Sequence, residues 1–256
     1  MRPHPSRGLA LSLALLLLLG GCNLFKARPA SILPAEELYQ LGEKELAKSR
    51  YEEARGRFKD IVARHPDSSY APRARFLVGE AFYREGDFDK AAKELEGFLA
   101  FYPRHQIADL VQYRLAMSYY DQLKPVEQDQ GLTAKALDQF KKLVKEYPES
   151  RYAPDALAKI DICRGRLAQK ELFIANYYYN LGNPGAARQR LDGILKNYPR
   201  ALVLPETLFL LAEVNFKEGR TDEAVQLLRR LSAEYPYSEW GKRAAQRLSA
   251  TTTTTR

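Results

Sequence analysis

Apolar residues recur along this chain every three or four positions, in segments that each end at a proline. Within a segment an alanine, two larger apolar residues and the proline occupy relative positions 0, 4, 7 and 12. The pattern occurs five times: Ala54, Phe58, Ile61 and Pro66; Ala91, Leu95, Phe98 and Pro103; Ala136, Phe140, Leu143 and Pro148; Ala187, Leu191, Ile194 and Pro199; Ala224, Leu228, Leu231 and Pro236. Positions 0, 4 and 7 lie on one face of an α-helix, and proline stops a helix because it lacks the backbone N–H. The pattern therefore predicts five amphipathic helices.

A partner helix precedes each of these five, and a large residue followed by a small one marks its contact face. The pairs are Leu41-Gly42, Val78-Gly79, Leu115-Ala116, Ile174-Ala175 and Leu211-Ala212. A small side chain lets the neighbouring helix approach closely. Short turns join four of the five helix pairs, at Lys48-Ser49-Arg50, Glu85-Gly86-Asp87, Leu181-Gly182-Asn183 and Glu218-Gly219-Arg220. The sequence therefore predicts five helix pairs in series.

Successive prolines are separated by 37, 45, 51 and 37 residues, so two repeats carry insertions. The first insertion, Gln122–Gly131, is polar and is predicted to be a loop; it lacks the ligand spacing of a calcium loop. In the second, Tyr152–Arg166 is predicted to form an extra or extended helix. Cys163 lies on the apolar face of that helix, so we expect a buried and unreactive thiol.

A last amphipathic helix, which carries Trp240 and Leu248, is predicted to cap the end of the array. The arrangement resembles the tetratricopeptide repeat family over residues 36–236. This resemblance implies an all-α fold: a solenoid of five helix pairs with a C-terminal capping helix. The solenoid spans residues 36–250, with N-terminal repeats at about 36–148 and C-terminal repeats at about 149–250, before a predicted disordered tail at 251–256. Unrelated helix pairs in a bundle are the alternative.

Residues 1–21 have the features of a secretory signal. Arg2 and Arg7 precede the apolar run Leu9–Leu19, whose 11 residues are fewer than the roughly 20 that span a bilayer. The segment Leu19-Gly20-Gly21-Cys22 resembles the lipobox of bacterial lipoproteins, which implies cleavage before Cys22, lipid on its thiol and a flexible tether over residues 22–35. A plain secreted protein is the alternative. Asn23, where an inner-membrane lipoprotein has Asp, favours the periplasmic face of the outer membrane.

Composition and motifs reduce the range of possible functions. The net charge of +8 is spread among acids along the helices rather than gathered in a basic run, so we expect no nucleic-acid partner. His65 and His105 stand beside helix-ending turns, and no residue spacing matches a metal site, a nucleophile elbow or a phosphate loop. We therefore expect neither an enzyme nor a cofactor other than the covalent lipid.

An array of helix pairs presents an extended surface that binds peptides or proteins. In tetratricopeptide repeats the first helix of each pair lines that groove, and Tyr39, Phe76 and Tyr113 recur there at intervals of 37 residues. Tyr83 lies further along the second of these helices. Aromatic side chains are rigid anchors for a peptide, but they also pack between repeats, and the sequence leaves both roles open.

A more specific resemblance spans the whole predicted mature body, from the lipobox through Asp129-Gln130 of the third repeat to the residues after Pro148. The segments Tyr147–Ala156, Arg166-Leu167-Ala168 with Glu171, and Tyr177-Tyr178 resemble the BamD family of lipoproteins, which belong to the machinery that inserts β-barrel proteins into the outer membrane. The resemblance implies C-terminal repeats that bind BamA, the barrel subunit, beside other assembly lipoproteins, and N-terminal repeats that receive unfolded outer-membrane proteins. Carried over, it makes Arg164, Arg166 and Glu171 candidates for the BamA-facing surface; a solvated helix face is their alternative.

Two other functions remain open at this point. Periplasmic tetratricopeptide proteins that coordinate cell-wall synthesis or envelope constriction share the Tyr-Pro-x-Ser units, but they usually follow a coiled coil, and no heptads precede the first repeat here. A regulator of a wall-degrading enzyme is the third possibility.

Overall fold

The structure is a computed structural model that describes residues 33–254, with side chains to residue 250. The predicted signal, Cys22 and most of the tether lie outside these residues. The described chain forms eleven α-helices and no strand. They are α1 (Ala35–Ala47), α2 (Tyr51–Arg64), α3 (Ala71–Glu85), α4 (Phe88–Phe101), α5 (Ala108–Tyr120), α6 (Gly131–Glu146), α7 (Ala153–Asn180), α8 (Pro184–Asn197), α9 (Leu204–Lys217), α10 (Thr221–Glu234) and α11 (Glu239–Thr254).

Each helix packs against the next one in the chain, so that five antiparallel pairs stack in order and α11 covers the last of them. The predicted all-α tetratricopeptide solenoid with five helix pairs and a capping helix is confirmed. The second insertion lengthens an existing helix: α7 runs unbroken for 28 residues and packs against both α6 of the third pair and α8 of the fourth. It contains Gly165, which weakens a helix by about 1 kcal/mol but removes no hydrogen bond, so the helix continues.

The core lies between the two helices of each pair. Every alanine and larger apolar residue at positions 0, 4 and 7 of the sequence pattern is 0% exposed. Full burial of one such large side chain contributes about 1.5–3 kcal/mol. The facing small residues are required for this packing, because a Cβ atom added to Gly42 would lie 2.5 Å from the Phe58 ring, and one added to Gly79 would lie 2.9 Å from Leu95.

Two kinds of turn alternate along the chain. The glycine turns join the two helices of a pair, at residues 48–50, 86–87, 121–130, 181–183 and 218–220. The proline turns join one pair to the next, at residues 65–70, 102–107, 147–152, 198–203 and 235–238. The long helix α7 displaces the last two pairs along its axis, because its middle contacts both the inserted loop, through Lys170, and α8, through Glu171. In the glycine turns Gly86, Gly182 and Gly219 adopt φ values of 87°, 75° and 76°, which L side chains disfavour. Ser49 occupies the same place in the first pair with φ 58°.

The loop of the first insertion is ordered by side chains from both of its ends. The Gln130 amide nitrogen donates to the Pro125 carbonyl at 2.8 Å, and Thr133 Oγ1 donates to Gln130 Oε1 at 2.7 Å. From α7, Lys170 Nζ donates to the Glu127 carbonyl at 2.7 Å. The loop therefore links the third repeat to the fourth.

The capping helix α11 closes the C-terminal end. Trp240 packs against Phe209 with 5.2 Å between ring centroids, and Ala244 is fully buried. The helical backbone continues to Thr254, into the threonine run where the sequence predicts a disordered tail from residue 251. Extending a formed helix adds one backbone hydrogen bond per residue, so it succeeds even through residues of low helix propensity.

Candidate binding surfaces

A groove of about 500 Å³ runs along the inner face of the first three repeats. It is lined by α1, α3 and α5, the first helix of each pair, and by the residues that lead into α7. We call it the N-terminal groove. Its lining includes Tyr39, Glu43, Arg73, Phe76, Glu80, Arg84, Arg114, Arg151 and Tyr152.

Two of the four groove residues predicted from the sequence line this groove. Tyr39 is 7% exposed and Phe76 is 8% exposed, so both form its floor rather than project into it. The Tyr39 ring packs against Tyr70 and Phe58, with centroids 5.1 and 5.9 Å apart. Burial, with the Glu43 carboxylate nearby, raises the pKa of Tyr39 to about 12. Its hydroxyl therefore stays protonated at neutral pH and is available as a donor.

Tyr83 and Tyr113 connect neighbouring repeats instead. The Tyr83 hydroxyl donates to Asp121, and burial with this hydrogen bond raises the pKa of Tyr83 to about 12. The Tyr113 hydroxyl donates to Asp155 Oδ2 at 2.7 Å, and its ring stacks on Tyr152 with centroids 4.8 Å apart. A peptide-binding role for any of the four aromatic residues stays a prediction.

The charged lining of the N-terminal groove is the feature that sequence reasoning missed. Glu80 is 4% exposed and lies between two guanidinium groups, with Oε1 2.9 Å from Arg84 Nε and Oε2 2.8 Å from Arg114 Nε. The pairing compensates for the loss of hydration of the carboxylate. Arg73 and Arg151 are exposed beside it, so arginines outnumber the acidic residues of the lining. Arg73 lies one helical turn before Phe76 and therefore on the same side of α3. The 37-residue spacing that predicts Phe76 in the groove thus also predicts Arg73 there.

The three predicted partner-facing residues on α7 point to different neighbours. Arg166 donates to the Lys124 carbonyl of the inserted loop, and Glu171 accepts from Arg190 Nη1 of α8 at 3.1 Å. Arg164 is exposed and lies 3.8 Å from Asp161 of the same helix. Two of the three thus contact their own chain, and Arg164 is the most available for a partner.

Exposed apolar side chains on α7 were also missed. Ile162, Phe173 and Tyr177 are 47%, 46% and 57% exposed. Separations of 11 and 4 residues bring all three to one side of the helix. The spacing of these three residues in the sequence carries this signal, whereas the family resemblance indicates only the charged residues between them.

Cys163 matches its prediction as a structural residue. It is 0% exposed, and burial raises the pKa of its thiol to about 11, so the thiolate is scarce at neutral pH. Among the described residues no cluster of three or more His, Cys, Asp or Glu side chains is placed to hold a metal ion. None of the helices described is long and apolar enough to span a bilayer.

Comparison with known proteins identifies relatives across most of the chain. Residues 32–226 match the family model described as YfiO, outer membrane lipoprotein. A protein of Rickettsia prowazekii named outer membrane protein assembly factor BamD is 30% identical over 224 residues, covering 88% of this chain and 89% of the relative. A protein of Caulobacter vibrioides with the same name is 30% identical over 207 residues, covering 81% and 68%.

Among solved structures, a thermophilic TPR protein of Thermus thermophilus is 20% identical, covers 83% of this chain and 98% of its own, and has a TM-score of 0.37. The sequence matches extend from the first repeat to the last and include the long helix α7. The chain therefore belongs to the YfiO family of outer membrane lipoproteins.

Proposed function

We propose that this chain is a lipid-anchored scaffold subunit of the outer-membrane β-barrel assembly machinery. Lipid on Cys22 holds it at the periplasmic face of the outer membrane. Its N-terminal repeats bind unfolded barrel proteins, and its C-terminal repeats bind a BamA-like barrel subunit and other assembly lipoproteins. The names of the relatives support the assembly role. The N-terminal groove, with an aromatic floor and an arginine rim, is the observation that carries substrate binding.

The lining of the groove suits an extended barrel strand. Such a strand alternates apolar and polar residues with a period of two. Its apolar side chains would contact Tyr39 and Phe76, while acidic side chains on the other face would meet Arg73 and Arg151. The groove is built from rigid first helices, so little ordering of the scaffold opposes binding.

The proposed surface for the barrel subunit is the exposed side of α7. Ile162, Phe173 and Tyr177 supply apolar contact area, and aromatic residues are enriched at such interfaces. Arg164 is exposed as well, but it follows Ile162 by two residues and therefore lies on the other side of the helix from this apolar patch. Arg166 and Glu171 support this surface by fixing the loop and α8 against α7.

Charge reversal at the rim tests substrate binding. In the double variant Arg73→Glu/Arg151→Glu, a labelled ten-residue peptide of alternating aromatic and acidic residues should bind about tenfold more weakly, as expected for a loss of about 1.4 kcal/mol. The control Arg57→Glu/Lys141→Glu makes the same charge change on exposed positions of α2 and α6. Fluorescence anisotropy gives both affinities. Equal weakening in the two variants would show that net charge, and not the groove, determines binding.

A further inference from the structure

Glu80 holds two arginines of the N-terminal groove in place. Its buried carboxylate contacts Arg84 of the same helix and Arg114 of α5, so it joins two of the groove helices. The Arg114 guanidinium also lies over the Tyr83 ring, with its Cζ atom 4.3 Å from the ring centroid. The side chains of Arg84 and Arg114 remain 50% and 24% exposed, so a ligand in the groove can reach both.

This cluster leaves one positive charge uncompensated, because a single carboxylate faces two guanidinium groups. The contact with Arg114 is close but is not aligned as a hydrogen bond. Arg114 Nε and Glu80 Oε2 are therefore both buried without a hydrogen-bond partner among the described residues. Within residues 33–250, Arg84 donates only through Nε, so its two terminal nitrogens are available as donors. Buried charge without a full set of partners is costly, and an anion in the groove would relieve that cost.

The Tyr39 hydroxyl is a second unsatisfied group in the same lining. Tyr39 is 7% exposed, and its hydroxyl oxygen is buried with no hydrogen-bond partner in the described chain. Buried hydroxyl groups normally have a partner, and a protonated phenol can donate to one. The groove thus offers an O–H donor beside its guanidinium N–H donors, which suits a ligand that carries acceptor oxygens.

A carboxylate side chain fits these donors, because its two oxygens match paired guanidinium N–H groups. We propose that Glu80 positions Arg84 and Arg114 to bind an Asp or Glu side chain of the substrate. The groove then selects unfolded segments in which an acidic residue lies between aromatic ones. The inference rests on the proposed function of the groove, and it adds the residues that determine its specificity.

Two labelled ten-residue peptides test the selection, one with aromatic residues alternating with Glu and the other with Gln in place of Glu. By fluorescence anisotropy, the native mature chain should bind the Glu peptide about tenfold more tightly. In Glu80→Gln this preference should fall to about twofold or less, because Arg84 and Arg114 lose the group that positions them. The control Glu53→Gln makes the same change at an exposed position of α2 and should keep the full preference.

Glu80→Gln separates positioning from charge, since it adds one positive charge to the groove. If net charge alone governed binding, the Glu peptide would bind this variant more tightly than the native chain, and the proposal would be wrong.

Arg114→Lys provides a second test that leaves the net charge unchanged. Lysine lacks the planar pair of N–H donors, so the preference for the Glu peptide should again be lost. Thermal denaturation followed by circular dichroism establishes that both variants fold. A full tenfold preference in Arg114→Lys, or equal native affinity for the two peptides, would overturn this inference alone. If neither peptide bound the native chain, the proposed function of the groove would fail as well.

Discussion

A single methyl group at Gly42 should destabilise the first repeat, whereas the same methyl group at Gly56 should stabilise it. Both glycines lie inside helices of the first pair, Gly42 in α1 and Gly56 in α2. A Cβ atom at Gly42 would lie 2.5, 2.8 and 2.9 Å from three carbons of the Phe58 ring, which is 0% exposed. A Cβ atom at Gly56 would have no heavy atom within 4 Å. The pair therefore isolates helix–helix contact from helix propensity.

The magnitudes follow from two opposing terms. Replacing glycine by alanine inside a helix gains about 1 kcal/mol at either site. At Gly42 the buried ring must move by about 1 Å to reach ordinary contact, and overpacking of this kind costs about 1–3 kcal/mol. We expect Gly42→Ala to lose about 1 kcal/mol net and Gly56→Ala to gain about 0.5–1 kcal/mol.

Urea denaturation followed by circular dichroism at 222 nm compares the variants with the native chain. A difference of about 2 kcal/mol between them separates their midpoints by about 1 M, for a slope of about 2 kcal/mol/M. The midpoint is used because a repeat protein need not unfold in one step. If Gly42→Ala proved as stable as Gly56→Ala, the two helices would not approach as closely as the structure requires.

Three further predictions test the turns, the inserted loop and the groove. Ser49→Gly should raise the free energy of unfolding by about 0.5–1 kcal/mol, because φ at this position is 58° and glycine adopts it without strain; thermal denaturation measures the gain. Arg166→Ala should speed Glu-C cleavage of the inserted loop about three- to tenfold, since it removes the hydrogen bond to the loop backbone, while Arg164→Ala on the same helix should not; mass spectrometry follows both. The stability that Tyr39 contributes should be intact below pH 10 and lost as the pH rises through about 12, because burial raises its pKa to that value; the decline in unfolding free energy should be smaller in Tyr39→Phe.

The repeats could be predicted from sequence because their information is local. Ala54, Phe58 and Ile61 share a helix face by their spacing alone, and Pro66 ends that helix wherever it packs. The five-fold recurrence then fixes the stacking order, since each pair can bury its apolar face only against its neighbours. The spacing of apolar residues does not determine whether Tyr152–Arg166 forms a separate helix or extends the next one. In the structure it is part of one continuous helix, because no turn interrupts the chain before Asn180.

The binding surfaces were harder to predict because their contacts are not periodic. Arg166 meets a loop residue 42 positions earlier, in an insertion that has no counterpart in the other repeats. Tyr83 and Phe76 lie on one helix, yet one reaches across to Asp121 and the other lines the groove. Which side chains face the groove depends on how each first helix is rotated about its own axis. The apolar pattern of the second helices does not determine that rotation.

The assembly role depends on the partners that this solenoid holds at the membrane. The most direct measurement is affinity purification of the lipidated chain from detergent-solubilised envelopes of its own host, with quantitative mass spectrometry of the co-purifying proteins. We expect a BamA-like barrel subunit in near-stoichiometric amount, and its reduction when Phe173 and Tyr177 are both replaced by serine. Recovery of a cell-wall synthase or amidase in its place would contradict the proposal.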